Sequence, residues 1–282
     1  MKFPLASWAI CYMYFDEHHN AIRKNYITLA YLLEDMATQY VYSVSSSHNL
    51  VQQSILSIKP LLNYVKSDQI TVFVTPPAKT NDLKTLRSLD VDVERTDHYS
   101  DAMPKTPNSN PRYYADKLNL CKINSDSVVF FDADTLILDD PSQLVTGVDL
   151  RARPGHLVGS KEFEYSGSEW EHLCSTQTES YLEWMPNTGV LVFGNESHKQ
   201  IEQDWANALS IQKQANQQWT EQHALAVAAG DLEVEKMNKK EHVMMWNEEL
   251  PTDGIVYHLG DLWKDTSKTK SHISQKIADF IK

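Results

Sequence analysis

Asp132 and Asp134 close the apolar run Val128-Val129-Phe130-Phe131, and their types and spacing are the clearest sign of chemistry in the chain. A lone carboxylate is costly to bury, so two at the end of an apolar strand are expected to be hydrogen-bonded, paired or bound to a cation. In an extended chain, residues two apart face the same side, so both carboxylates can meet one ligand while Ala133 turns away. Two chemistries fit. The pair can hold a divalent cation that bridges a diphosphate, or Asp132 can attack a phosphoryl group with Asp134 as acid and base. Spacing alone does not choose between them, because Asp90-Val91-Asp92 has the same form. That second pair has no apolar run before it and reads as the solvent face of a strand.

The elements that must position the pair alternate, from residue 40 onward, between short β-rich runs and helical segments, which predicts an α/β sheet. Strands are expected at 40–46, 70–75, 91–95, 128–131 and 188–193. Helices are expected at 48–67, with Pro60 as a kink or break, and at 82–89, 112–123, 197–213 and 221–229. Thr220 is a suitable N-cap for the last of these, and Gly230 suits the position just beyond its end. The segment 151–184 reads as aromatic-rich and less regular. Residues 1–38 are expected to form a helical extension packed on the main body, and 39–282 a single domain. There are no repeats, low-complexity tracts or evident linkers.

Composition sets further limits. A net charge of -12 disfavours nucleic acid and anionic membranes as partners, and a phosphate ligand would need help from a cation. The three cysteines, Cys11, Cys121 and Cys174, are far apart and lack ligand spacing, which favours a reducing, cytoplasmic setting. The apolar stretch at residues 3–15 is too short to span a bilayer and lacks the basic start of a leader, so it reads as part of the folded body.

The segments "ITVFVTPP", "YADKLNL", "VVFFDADTLIL", "WMPNTGVLVF", "TEQHALA" and "VYHLGDLWK" follow one another in the order and rough spacing of glycogenin-like family 8 glycosyltransferases. The chain resembles a divergent member or relative over about residues 40–265. The resemblance implies a GT-A fold, a Rossmann-like mixed sheet flanked by helices, with Mn²⁺ (or Mg²⁺) on the two phosphates of a nucleotide sugar. Carried over, Asp132, Asp134 and His258 are the metal ligands, with Asp132 also contacting the donor. Lys117 and Lys264 hold phosphate oxygens. Departures appear at the end: Gly260 follows His258 by two residues where the family has three, and Trp263 precedes Lys264. Lys264 can equally be a solvated surface lysine.

The resemblance further places Asn187 and Gly189 at the donor sugar, although Asn-Thr-Gly is also an ordinary turn. Glu221 and Gln222 match an acidic-Gln pair. Glu221 would be a general base in an inverting enzyme or an orienting group in a retaining one, or only a partner for its helix dipole. Ser45, Ser47 and His48 stand where such proteins hold the nucleotide base, and His48 fits a helix cap as well. The implied activity is transfer of a hexosyl or pentosyl group from a nucleotide diphosphate donor, a UDP-sugar in particular, to a hydroxyl of a glycan or small molecule. The alternative is a haloacid-dehalogenase-like phosphatase with Asp132 as nucleophile and Asp134 as acid/base. That family also opens on an apolar run closed by two aspartates, and "GDLWKD" (260–265) imitates its closing Mg²⁺ motif. Its first motif, however, lies on an early strand, whereas several strands and helices precede Asp132.

Overall fold

The structure, a computed structural model, describes residues 38–45, 48–76, 80–99, 115–157, 178, 180–214, 220–244, 251 and 253–260. The expected N-terminal extension lies outside the described residues, as do Ser47, Lys264 and the side chains of Ser45 and His48.

Among the described residues, ten strands form two sheets. β1 (Gln39–Ser45), β2 (Ile70–Thr75), β3 (Asp92–Arg95) and β4 (Val128–Phe131) pair in parallel. β7 (Trp184–Phe193) runs antiparallel to β4, β6 (Leu150–Leu157) antiparallel to β7, and β8 (Val234–Lys236) parallel to β6. The order across this mixed sheet is β3-β2-β1-β4-β7-β6-β8. A second sheet of three strands has the order β5 (Thr135–Ile137), β10 (Val256–His258), β9 (His242–Met244).

Alternation along β4 explains why the run before Asp132 is apolar at every position. Val128 and Phe130 enter one core with Val41, Phe73 and Leu191, while Val129 and Phe131 enter another with Tyr42, Val72 and Val190. A strand covered on both faces has no solvent side to be polar. Burial of each phenylalanine contributes about 1.5–3 kcal/mol. The Phe131 core is closed by α1 (His48–Leu61) and α2 (Thr80–Arg87), through Val51, Ile55, Ile58, Leu83 and Leu86. The Phe130 core is closed by α4 (Glu202–Gln214) and α5 (Thr220–Ala228), through Trp205, Leu209, Ala224 and Leu225, with α3 (Ser197–Gln200) preceding α4.

Several expectations need correction. The helix expected at 48–67 stops at Leu61, one residue after Pro60, whose ring nitrogen has no proton for the Leu56 carbonyl. The described part of 112–123 is a tight 3₁₀ helix, Asp116–Lys122. The Asp116 carbonyl accepts Ser43 Oγ (2.8 Å) and Asn119 Nδ2 (2.9 Å), so side chains occupy the acceptor that an α-helix would give to an amide. The helix expected at 197–213 divides at Ile201. Residues 151–157, expected to be irregular, belong to β6, whose pairing shifts around Arg153–His156, where Pro154 cannot donate to a ladder. β7 begins at Trp184, so Asn187-Thr188-Gly189 is buried strand and not a turn. Asp92 is exposed on β3.

Candidate active and metal-binding site

The chain leaves β4 at Phe131 and turns at once into β5. The Asp132 amide donates to the Gly189 carbonyl of β7 (2.8 Å), while the Asp132 carbonyl accepts the Thr135 amide (3.2 Å) and hydroxyl (2.9 Å). Residues 132–134 therefore lie at the junction of the two sheets. β10 pairs antiparallel to β5 with His258 opposite Thr135, and the Leu259 amide donates to the Asp134 carbonyl (2.9 Å). That register carries His258 to the carboxylates: Nε2 lies 3.3 Å from Asp134 Oδ1 and 3.9 Å from Asp132 Oδ2.

One ligand atom from each of Asp132, Asp134 and His258 lies within 4.8 Å of the others. Two carboxylate oxygens and an imidazole nitrogen suit a borderline divalent cation such as Mn²⁺, and the donor set fits one. The charges point the same way. Burial pushes the Asp134 carboxyl up, but the charge and hydrogen bond of His258 outweigh it and hold the group below 3.8. Burial pushes His258 down, yet Asp134 and Asp132 raise it above 6.5. His258 Nε2 faces both carboxylates, so a cation seated among the three would answer both negative charges.

Lys117 is buried, and its ammonium lies 3.0 Å from both oxygens of Asp132, 3.0 Å from Thr188 Oγ1 and 3.3 Å from the Thr188 carbonyl. Its three protons thus have acceptors within the protein. Thr188 Oγ1 in turn donates to Glu221 Oε1 (3.3 Å) in the first turn of α5. Burial raises the Glu221 carboxyl above 4.5 against the opposing charge of Lys117. Glu221 is thereby tied to Asp132 through Thr188 and Lys117. Gln222 follows it, buried.

Gly189 makes room for a neighbour: a Cβ on it would meet His258 Cε1 at 2.1 Å and Nδ1 at 2.3 Å. Asn187 Oδ1 accepts the Gly189 amide (2.9 Å), which leaves its NH₂ as the part available to a ligand. Gly260 takes a left-handed φ of 54° just after β10. Ser45 ends β1 and His48 begins α1, so their backbones lie at the carboxyl end of the parallel strands, the edge where open α/β sheets bind ligands. The aromatics Tyr181 and Trp184 pack on the Phe130 core.

Two residues of this site escape a reading of the sequence. Thr188 looks like the middle of a turn. His242, on β9, lies edge to edge with His258, ring centroids 5.6 Å apart and its Nε2 3.4 Å from His258 Nδ1. Burial and the neighbouring His258 charge hold it well below 6.5. Nothing in "KKEHVMM" announces it, because the contact depends on pairing between β9 and β10.

No protein-family model matches the sequence, and no curated protein matches it. Solved structures do resemble it. The galactosyltransferase LgtC, crystallised with donor and acceptor sugar analogs, superposes with a TM-score of 0.61 at 15% identity, covering 86% of this chain and 95% of that one. The glycosyltransferase GlyE of Streptococcus pneumoniae TIGR4 superposes with a TM-score of 0.53 at 12% identity, over 86% of this chain and 60% of that one. The mixed sheet flanked by helices is the GT-A fold.

Proposed function

We propose that this chain is a metal-dependent glycosyltransferase that moves a hexosyl or pentosyl group from a nucleotide diphosphate donor, a UDP-sugar in particular, to a hydroxyl of a glycan or small molecule. The observation that carries the reading is the meeting of Asp132, Asp134 and His258 at the junction of the two sheets in a GT-A fold. These three would hold Mn²⁺ or Mg²⁺. When bound, the cation would supply Lewis-acid stabilisation to the departing diphosphate, charge that a protein of net -12 otherwise lacks.

The chain's own groups divide the remaining work. Lys117 balances Asp132 and keeps its carboxylate oriented, and its ammonium would supply a charge-assisted hydrogen bond to a phosphate oxygen of the donor. Asn187, with its oxygen held by Gly189, offers its NH₂ to the donor sugar. Glu221, its carboxyl raised by burial, is poised to take a proton from an acceptor hydroxyl if transfer inverts, or with Gln222 to orient the sugar if it retains. Gly260, Ser45 and His48 would complete the donor site with their backbone groups, and Lys264 the phosphate contacts. Among the described residues no helix is long and apolar enough to cross a membrane.

The phosphatase alternative is not favoured. Asp132, its would-be nucleophile, follows a fourth strand that runs antiparallel to β7, and the fold is that of glycosyltransferases.

The test is a melting experiment with UDP, with and without Mn²⁺, on wild type, Asp134→Ala and Asp92→Ala. A ligand that binds only the folded state at about 100 times its Kd adds about 2.7 kcal/mol of stability. UDP should raise the melting temperature only with the cation. The rise should vanish in Asp134→Ala and persist in Asp92→Ala, whose own stability should change by no more than about 0.5 kcal/mol. Equal stabilisation after exhaustive chelation would overturn the metal-bridged donor.

A further inference from the structure

We infer that His242 is a positioning residue for the cation site: with a cation bound, its Nε2 would accept the Nδ1 proton of His258, leaving the His258 Nε2 lone pair for the cation beside Asp132 and Asp134. The inference rests on the reading of those three residues as cation ligands. β9 and β10 are parallel with His242 opposite Val256, so His258, two residues on, is its diagonal neighbour on the same face. The two rings lie within 20° of parallel, with His242 Nε2 3.4 Å from His258 Nδ1.

The chemistry follows from the inventory of a neutral imidazole, one N–H and one lone pair. A ligand that gives its Nε2 lone pair to a cation carries its proton on Nδ1, and a buried N–H needs an acceptor. Gly189, without a Cβ, presses on the Cε1 and Nδ1 edge of the ring but offers that proton no side chain. His242 does. It is fully buried, and its carbonyl accepts Arg153 Nη1 (2.6 Å), which anchors its strand from β6.

To accept at Nε2, His242 must hold its own proton on Nδ1, which has no hydrogen-bond partner among the described residues. An apolar residue would fill this place without stranding a polar atom. The imidazole is therefore explained by what its other nitrogen does, orienting His258.

The experiment is a Mn²⁺ titration without nucleotide, with free Mn²⁺ followed by electron paramagnetic resonance, on wild type and His242→Gln, His242→Asn and His242→Leu. A glutamine amide reaches the position of Nε2, whereas an asparagine amide stops at that of Nδ1. His242→Leu and His242→Asn should weaken Mn²⁺ by about 10–100-fold, as loss of an outer partner of a metal ligand does, and His242→Gln should stay close to wild type. Loss in His242→Leu, which keeps the volume of the ring, together with rescue by glutamine is an order that packing volume alone does not produce. Should His242→Leu fail to fold, His242→Met, which likewise fills the space without an amide acceptor, takes its place. Wild-type affinity in His242→Asn, or a loss in His242→Gln equal to that in His242→Asn, overturns the role of His242 while leaving the metal site standing. Absence of Mn²⁺ uptake by the wild type overturns both.

Discussion

A β-carbon at position 189 would stand 2.1 Å from His258 Cε1, well inside any non-bonded contact, so Gly189→Ala must move either the ring or the strand. Such overpacking in a filled site costs about 1–3 kcal/mol. We expect a folded variant, destabilised by that amount in urea, whose Mn²⁺ affinity falls at least as far as that of the weaker His242 variants. Normal Mn²⁺ uptake by Gly189→Ala would mean that His258 does not need its present place. At this scale the sequence was informative where local context was unusual. Asp132 and Asp134 stood out against Asp90 and Asp92 because an apolar run precedes them, and the structure has Asp92 exposed on β3. In sequence Gly189 reads as a donor-site residue by resemblance, while the atom that needs the space belongs to a histidine 69 positions away, a separation that local pattern does not span.

At the scale of elements, β7 and α5 are joined across the site by Thr188, which accepts from Lys117 and donates to Glu221. Thr188→Val keeps the shape but strips Lys117 of an acceptor and Glu221 of a donor. Leaving buried polar groups unsatisfied costs about 1–3 kcal/mol, so urea unfolding should show a loss of that size, largely restored in Thr188→Ser. A valine variant as stable as wild type would remove Thr188 from the link. The elements legible in advance were those with uniform patterns: β2 and β4, buried on both faces, and α5, which ends just before Gly230. β5, β8 and β9 have three residues each, too few for alternation to register. β6 was hidden by Pro154 and Gly155, which signal a break in sequence but sit where its pairing with β7 shifts.

For the molecule as a whole, the buried histidines set a dependence on pH. His198, on α3, is fully buried beside Phe193 of β7, with Nε2 3.0 Å from the Ile123 carbonyl, and burial holds its imidazole below 6.5 despite that bond. Because the unfolded chain protonates it near pH 6.5 and the folded protein resists, the unfolded state binds more protons as pH falls. Its stabilising contribution is complete above that range and is lost as pH drops from about 6.5 toward the lowered folded value. His242 acts in the same direction and His258 in the opposite one. His198→Gln keeps an amide for Ile123 without the titration. Urea unfolding of the two proteins between pH 7.5 and 5.5 should show the wild type losing more stability on acidification, and parallel losses would exonerate His198. The same whole-molecule view gives a further meaning to residues 132–134, where the seven-stranded and three-stranded sheets meet. Asp132 is bonded back to β7, and Asp134 and His258 belong to the smaller sheet's side of the seam. A cation seated there would act as a rivet through both plates, so each loading and release would stiffen and then slacken one sheet against the other, coupling occupancy of the site to the shape of the protein.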